Sequence, residues 1–415
     1  MGNVQSRLNE QRKKGIQIKR YLFLIFVLLF MCIIYGCWSK RELTDLAFII
    51  AVGIDKRDGK YMSTFQIVNP GNVAGATQRG GGSAGLPVAL YTSTGDTLVE
   101  ASRKASKQIS RIPYYSHTNL VVIGEELAKE GIQQIFDAVE RNPQFRPAAN
   151  IIIARKQTAK QLLSVLTPID KIPANQIIKT LQFTKGLLGE NVDTRIREII
   201  ENFSLDGKEV VISSFRIAGD WQKGAEQDNV RTIEPSARLR AAELAVFKNG
   251  KLVGWMKNEE ARGVLWVLNK VKQTNVNIDW GESKEGLSYK VMRAQAKVKA
   301  KLKDGNPIIS VVIKTEGDIS ETFISMDFTD PKQIIELEKK IQQEIKKEVR
   351  KAVHAAQKKK SDIFGFGEVV HRTYPEEWKE MKKTWHNKYF PEAELHVKVD
   401  SFIRRTGLRT RSYIQ

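Results

Sequence analysis

Cysteine is nearly absent from this 415-residue chain: there are two, Cys32 and Cys37. Both sit at one end of a single apolar segment, which excludes a disulfide framework and a thiolate zinc site. Histidine is scarce too. His117, His354, His371, His386 and His396 are all there are, and none has HExxH or comparable metal-ligand spacing. Acids are in deficit, 47 against 67 Lys and Arg, a net charge of +20. That excess suits an anionic partner, either a nucleic acid or a membrane surface. No Walker sequence occurs, and no catalytic, cofactor or metal residue is assigned. What remains is ordinary globular usage, 41% apolar and 27% charged, with length for two or three domains.

The first 37 residues carry the strongest pattern. Six basic residues (Arg7, Arg12, Lys13, Lys14, Lys19, Arg20) face one acid, Glu10. Fifteen apolar residues follow, from Tyr21 to Tyr35, and then Gly36 and Cys37. A basic segment, an apolar segment and a small residue at the cut make a secretory signal. Ile34-Tyr35-Gly36-Cys37 resembles a bacterial lipobox, although Tyr35 stands where a small residue is usual. The Cys37 thiol would take a diacylglyceryl group, and cleavage before it would make it the new N-terminus. Two or more acyl chains anchor stably, at about 0.8 kcal/mol per buried methylene. An uncleaved signal anchor is the alternative. Nineteen uncharged residues, from Tyr21 to Ser39, just span about 30 Å of hydrocarbon. Residues 1–6 also fit a myristoylation pattern, which the export signal behind them makes accidental.

No later apolar run is long enough to cross a bilayer, so the body reads as soluble. Residues 47–54 and 60–68 read as a hairpin around Asp58-Gly59. Residues 69–87 form a flexible Gly-rich loop with six glycines and two prolines and without the Walker Lys-Ser/Thr. Strands then alternate with helices: strands near 88–93, 119–123 and 149–154, helices at 97–109, 126–139 and 158–166. Helical stretches at 174–183 and 191–203 precede a strand at 209–217. A second hairpin, 241–255, turns on Asn249-Gly250. A helix at 259–269 and strands at 287–293, 296–303 and 307–316 follow. Asp330-Pro331 opens a helix to residue 360, with Gln333 placed for a capping box. Its apolar stripe runs through Ile334, Leu337, Ile341, Ile345, Val349, Val353 and Ala356, flanked by lysines. That helix reads as packed on a sheet with its lysines in water. A helix at 376–388 and a strand at 394–404 close the chain.

Several blocks together resemble the Ger(x)C family, the lipoprotein C subunits of spore germinant receptors. The first is Cys37-Trp38-Ser39-Lys40-Arg41-Glu42-Leu43 with Leu46 to Ile49 and Gly53-Ile54-Asp55. The second is His117 with Val121-Val122-Ile123-Gly124-Glu125. The third is the 245–254 hairpin with Glu260 and Gly263. The last is Asp362-Ile363-Phe364-Gly365-Phe366-Gly367 with Trp378, Trp385, Val399 and residues 403–407.

The resemblance implies a non-enzymatic subunit in nutrient-triggered germination, held by lipid on Cys37 at the outer face of the inner spore membrane. It implies membrane-embedded A and B subunits as partners, and the export signal argues against a nucleic-acid partner. It also implies sheets wrapped by long helices. With the element reading above, the expected class is α+β, two to three mixed domains with mainly antiparallel sheets. The expected divisions are 1–36 signal, 37–225 and 226–415, with a further split near 285 left open. An exported membrane-anchored enzyme or cell-wall binder is the alternative. Its only residue support is His371 and His386 near Glu376 and Glu377.

Overall fold

Three Asx-Gly pairs set the hairpins of this protein. Asp58-Gly59, Asn249-Gly250 and Asp304-Gly305 all have positive φ at both positions, the geometry that matches the right-handed twist of the strands they join. The structure is a computed structural model, which describes residues 19–27, 42–74, 85–281 and 283–406. The chain divides into two compact units, Met1–Leu46 and Ala47–Gln415. In the first, residues 19–27 are helical and Leu43–Asp45 form a 3-10 turn. Among the described residues no helix is long and apolar enough to cross a membrane.

The second unit opens with β1 (Leu46–Arg57), β2 (Lys60–Val68), β3 (Val88–Gly95), α1 (Leu98–Lys104), β4 (Ile112–Tyr114) and β5 (Leu120–Gly124). Next come α2 (Glu125–Glu130), α3 (Gln133–Glu140), β6 (Asn150–Ala154), α4 (Ala159–Ser164), α5 (Pro173–Leu187) and α6 (Ile196–Phe203). Then follow β7 (Val211–Gly219), β8 (Ala237–Lys248), β9 (Lys251–Met256), α7 (Glu259–Val267) and β10 (Thr274–Trp280). The last elements are β11 (Ser283–Lys303), β12 (Asn306–Thr322), α8 (Pro331–Lys358), α9 (Phe366–Thr373), α10 (Pro375–Met381) and β13 (Glu394–Arg405).

The larger sheet has the order β3-β2-β1-β5-β6-β7-β8-β9, with β4 on β1. Its flanks are antiparallel hairpins, and its centre, β1-β5-β6-β7, is parallel. A parallel centre needs cover on both faces. Val121, Ile123, Ile151 and Ile153 point into one cluster with Ile135 and Ile199. Leu120, Val122 and Ile152 point into another with Leu162, Ile177 and Leu181. Residues on both sides of position 225 therefore share this sheet, since β8 and β9 extend it from β7.

The smaller sheet has the order β10-β11-β12-β13, antiparallel except for the parallel β12-β13 pair. One face packs on α8, which is 28 residues and so about 42 Å long. The stripe from Leu337 through Ile341, Ile345, Val349 and Val353 to Ala356 is buried, while Ile334 is half-buried. Asp330 caps the helix by accepting from the Lys332 N–H at 2.9 Å. The expected capping box does not close: Gln333 Oε1 accepts from the Asp327 N–H instead. The overall class is α+β, with mainly antiparallel sheets wrapped by helices.

Two sequence expectations change in detail. The 126–139 helix is broken at Gly131, whose φ is 141°. The 376–388 helix becomes α10, a 3-10 turn and a π-turn over Trp385–Tyr389. The Gly-rich loop starts with a helical turn, Pro70–Ala74, and the Asn69 N–H donates to the Pro87 carbonyl at 2.8 Å. Its residues 75–84 lie outside the described residues.

Candidate functional site

Cys37 and its lipobox lie outside the described residues. The His–Glu neighbours of the last helices do not pair as their spacing suggested. Glu376 receives Lys379 Nζ at 2.7 Å. His371 approaches Glu368 at 3.8 Å and stacks on Trp378 with ring centroids 5.7 Å apart. His386 instead turns inward, toward Glu209 and Asp362.

Asp362 is the centre of the best-built polar site. It is fully buried. Oδ1 accepts from the N–H groups of Phe364 at 3.1 Å and Gly365 at 2.9 Å. Oδ2 accepts from the Gly367 N–H at 2.8 Å and from Trp385 Nε1 at 2.9 Å. Gly365 has φ 76°, which lets the chain wrap around the carboxylate. Burial pushes the Asp362 carboxyl up to about 6, against the pull of its N–H donors. It is thus ionised at neutral pH, the form that four donors suit. Its own N–H donates to His386 Nδ1 at 3.3 Å, and its carbonyl accepts from the Glu209 N–H at 2.8 Å. Burial pushes Glu209 up to about 7 and His386 down to about 4. At neutral pH His386 is therefore neutral, and its 3.8 Å approach to Glu209 is not an ion pair. This knot joins the Ile363–Gly367 turn to the strand entrance at 207–211. A Cβ on Gly367 would lie 2.7 Å from the Gly207 Cα.

A second buried network ties α7 to α8. Glu348 is 3% exposed. It accepts from Arg262 Nε at 2.9 Å, from Arg262 Nη2, and from Trp266 Nε1 at 2.9 Å. Glu190 approaches the same guanidinium at 3.8 Å, and burial pushes its carboxyl up. The Arg262–Glu348 pair has the bidentate fork that makes such contacts geometrically specific.

Other family-like blocks have similar roles. Asp55 ends β1 and accepts from the Ala159 N–H at 2.8 Å and the Lys160 N–H at 3.1 Å. It thereby caps α4 across the sheet, and burial pushes its carboxyl up. His117 packs edge-on against Phe48 with ring centroids 5.3 Å apart. Trp378 and Trp385 are both buried, with rings 5.3 Å apart. Four donors meet the Asp362 carboxylate, Arg262 and Trp266 meet Glu348, and two backbone N–H groups meet Asp55, so the chemistry on display is cross-bracing. No group of three or more His, Cys, Asp or Glu that could hold a metal occurs among the described residues. Sequence reasoning found Asp362, Trp385 and Asp55 through the family blocks. It missed Glu348, Arg262 and Glu209, whose partners lie 86, 86 and 153 residues away in sequence for Arg262, Glu348 and Asp362 respectively.

Comparison with known proteins agrees along the whole body. Residues 39–217 match the family model described as spore germination protein N-terminal domain. Residues 242–407 match the model described as spore germination B3/GerAC like, C-terminal. The chain is 41% identical over 395 residues to spore germination protein KC of Bacillus subtilis (strain 168), covering 94% of this chain and 97% of that protein. It is 26% identical to spore germination protein YndF of the same organism, over 94% and 98% of the two chains. The crystal structure of the GerBC protein shares the fold, with a TM-score of 0.54 at 17% identity over 85% of this chain and 96% of that one. The chain belongs to the GerAC-like family of spore germination proteins.

Proposed function

We propose that this protein is the lipid-anchored C subunit of a spore germinant receptor and works through protein contacts, without catalysis of its own. The observation that carries this reading is the end-to-end similarity to spore germination protein KC. The lipid would sit on Cys37, behind the basic and apolar segments that mark export. The partners would be membrane-embedded A and B subunits, at the outer face of the inner spore membrane. Two buried, fully paired carboxylates, Asp362 and Glu348, support a binding role, since both brace the fold. The remaining basic surface would face anionic lipid, at about 1 kcal/mol per cation near the bilayer.

Co-purification from spore membranes with crosslinking tests anchoring and partners together. A Cys37→Ala variant should accumulate as unprocessed precursor and fail to support nutrient germination. Normal processing and function of that variant would refute the anchor. Recovery of the wild-type chain without any membrane-embedded partner would refute the receptor role.

A further inference from the structure

A cavity of about 360 Å³ opens between α1, the face of β1 and β2, and the end of α3. That is the lower end of the range typical of small-ligand sites, roughly 300–1,000 Å³. Its walls are apolar: Val52 and Ile54 of β1, Phe65 of β2, Leu98 of α1, Val139 of α3 and Phe145 beyond it. Such a wall takes an apolar body and cannot orient it.

Polar groups break the apolar lining, among them Asn142, whose Oδ1 accepts from the Gln144 N–H at 3.1 Å. Ser63 is only 3% exposed, lines the cavity, and among the described residues no group bonds its hydroxyl. Tyr115 and Ser102 share a hydroxyl–hydroxyl bond on the wall. Two guanidiniums stand at the lining, and they differ. Arg141 is held by Asp137, with Nε and Nη2 each 3.0 Å from a carboxylate oxygen. Arg103 has no carboxylate partner among the described residues, since the neighbouring Glu100 is taken by Lys104 and by the Asp96 N–H. The lining contains no Asp or Glu at all.

We infer that this cavity binds a small apolar monocarboxylate, its hydrocarbon on the β1–β2 face and its carboxylate on Arg103. The Arg103 guanidinium supplies the planar fork that carboxylates prefer. The absence of an acid from the lining selects against zwitterions, because an ammonium group would enter without a counter-charge. Ser63 is placed to donate to a ligand oxygen that reaches the floor. The inference stands apart from the receptor reading, which says nothing about this cavity.

The test uses the full-length chain in lipid nanodiscs, with 4-phenylbutanoate as probe and titration calorimetry as readout. Saturable binding is expected, and the uncharged 4-phenylbutanamide should bind at least about tenfold more weakly, the usual worth of a charge-assisted hydrogen bond. Arg103→Gln should weaken 4-phenylbutanoate by a similar factor and leave the amide unchanged. Arg103 is exposed, so an unchanged melting curve should accompany that loss. Ala138→Leu, which fills the cavity from α3, should abolish both. Phenylalanine, which adds the ammonium, should bind more weakly than the monocarboxylate. Failure of 4-phenylbutanoate to bind the wild-type chain overturns the inference, as does an amide that binds equally well. Equal binding of phenylalanine overturns the assigned class.

Discussion

Gly263 lies against the Glu348 backbone so closely that a Cβ on it would sit 2.2 Å from the Glu348 carbonyl oxygen. The next-nearest atom, the Ala352 Cβ, would be 2.7 Å away. The helices α7 and α8 therefore touch backbone to backbone. Arg262, one residue before Gly263, and Trp266, three residues after it, both bond the Glu348 carboxylate. Gly263→Ala should push the helices apart and stretch those bonds. Overpacking of this kind costs about 1–3 kcal/mol. A urea midpoint equal to wild type would show that α7 is free to shift.

Glu348 carries the same joint from the other side. Glu348→Ala leaves the Arg262 guanidinium half-buried, with Glu190 at 3.8 Å and no bidentate partner among the described residues. Losing one member of a buried pair costs about 3–5 kcal/mol. Replacing both residues by apolar ones of similar size should recover much of that loss. A double variant no better than the single one would mean that packing, not the uncompensated charge, sets the cost.

Trp385→Phe keeps the ring in the core and removes one of four donors to Asp362. An unmet hydrogen-bonding position at a buried carboxylate costs about 1–3 kcal/mol. Asp362→Ala strands three backbone N–H groups and the indole at once, and should be clearly worse than Trp385→Phe. Equal destabilisation by the two would show that Asp362 is not the organiser of the turn.

Glu209 and His386 should give opposite pH dependences. Burial raises Glu209 from 4.5 to about 7. Between those values the folded chain holds a proton that the unfolded chain has released, so stability falls as pH rises. The contribution is complete below 4.5 and is lost as pH passes 7, amounting to about 3 kcal/mol at most. Burial lowers His386 from 6.5 to about 4. Between 4 and 6.5 the unfolded chain binds the extra proton, so stability rises with pH. Glu209→Gln should remove the fall between pH 4.5 and 7 and raise stability at pH 8. His386→Gln should flatten the rise between pH 4 and 6.5. A melting profile left unchanged by Glu209→Gln would refute the burial of that charge.

Asp330→Ala tests the start of α8. Loss of the cap on the Lys332 N–H should cost about 1 kcal/mol. Hydrogen exchange should show the first turn opening while the segment near Val349 stays protected.

Local patterns were readable in the sequence wherever neighbours in the chain supply the physics. The Asx-Gly pairs marked their hairpins because few other residues tolerate positive φ at both turn positions. The stripe from Leu337 to Ala356 marked the buried face of α8 because a helix repeats every 3.6 residues. Less readable were segments with two buried faces. Residues 120–124 and 150–154 are short apolar runs with no alternation, and such runs do not say which strand they pair with. The sequence reading left β10 unassigned, although Thr274–Trp280 alternates buried and exposed along its length. It also divided β11 in two at residues 294–295, where pairing with β12 runs on unbroken.

The amino-acid sequence by itself determined the hairpins, the long capped helix and the family to which the chain belongs. These are local patterns or linear blocks, and each is complete within a few turns or strands. Only the tertiary structure decided that Asp362 accepts from Trp385, that Glu348 holds Arg262, and that an Arg103 with no carboxylate partner among the described residues stands at an apolar cavity. Burial and partnership are properties of the packed chain. The same carboxylate is a solvated charge on an open helix and a cross-brace once donors from distant segments close around it.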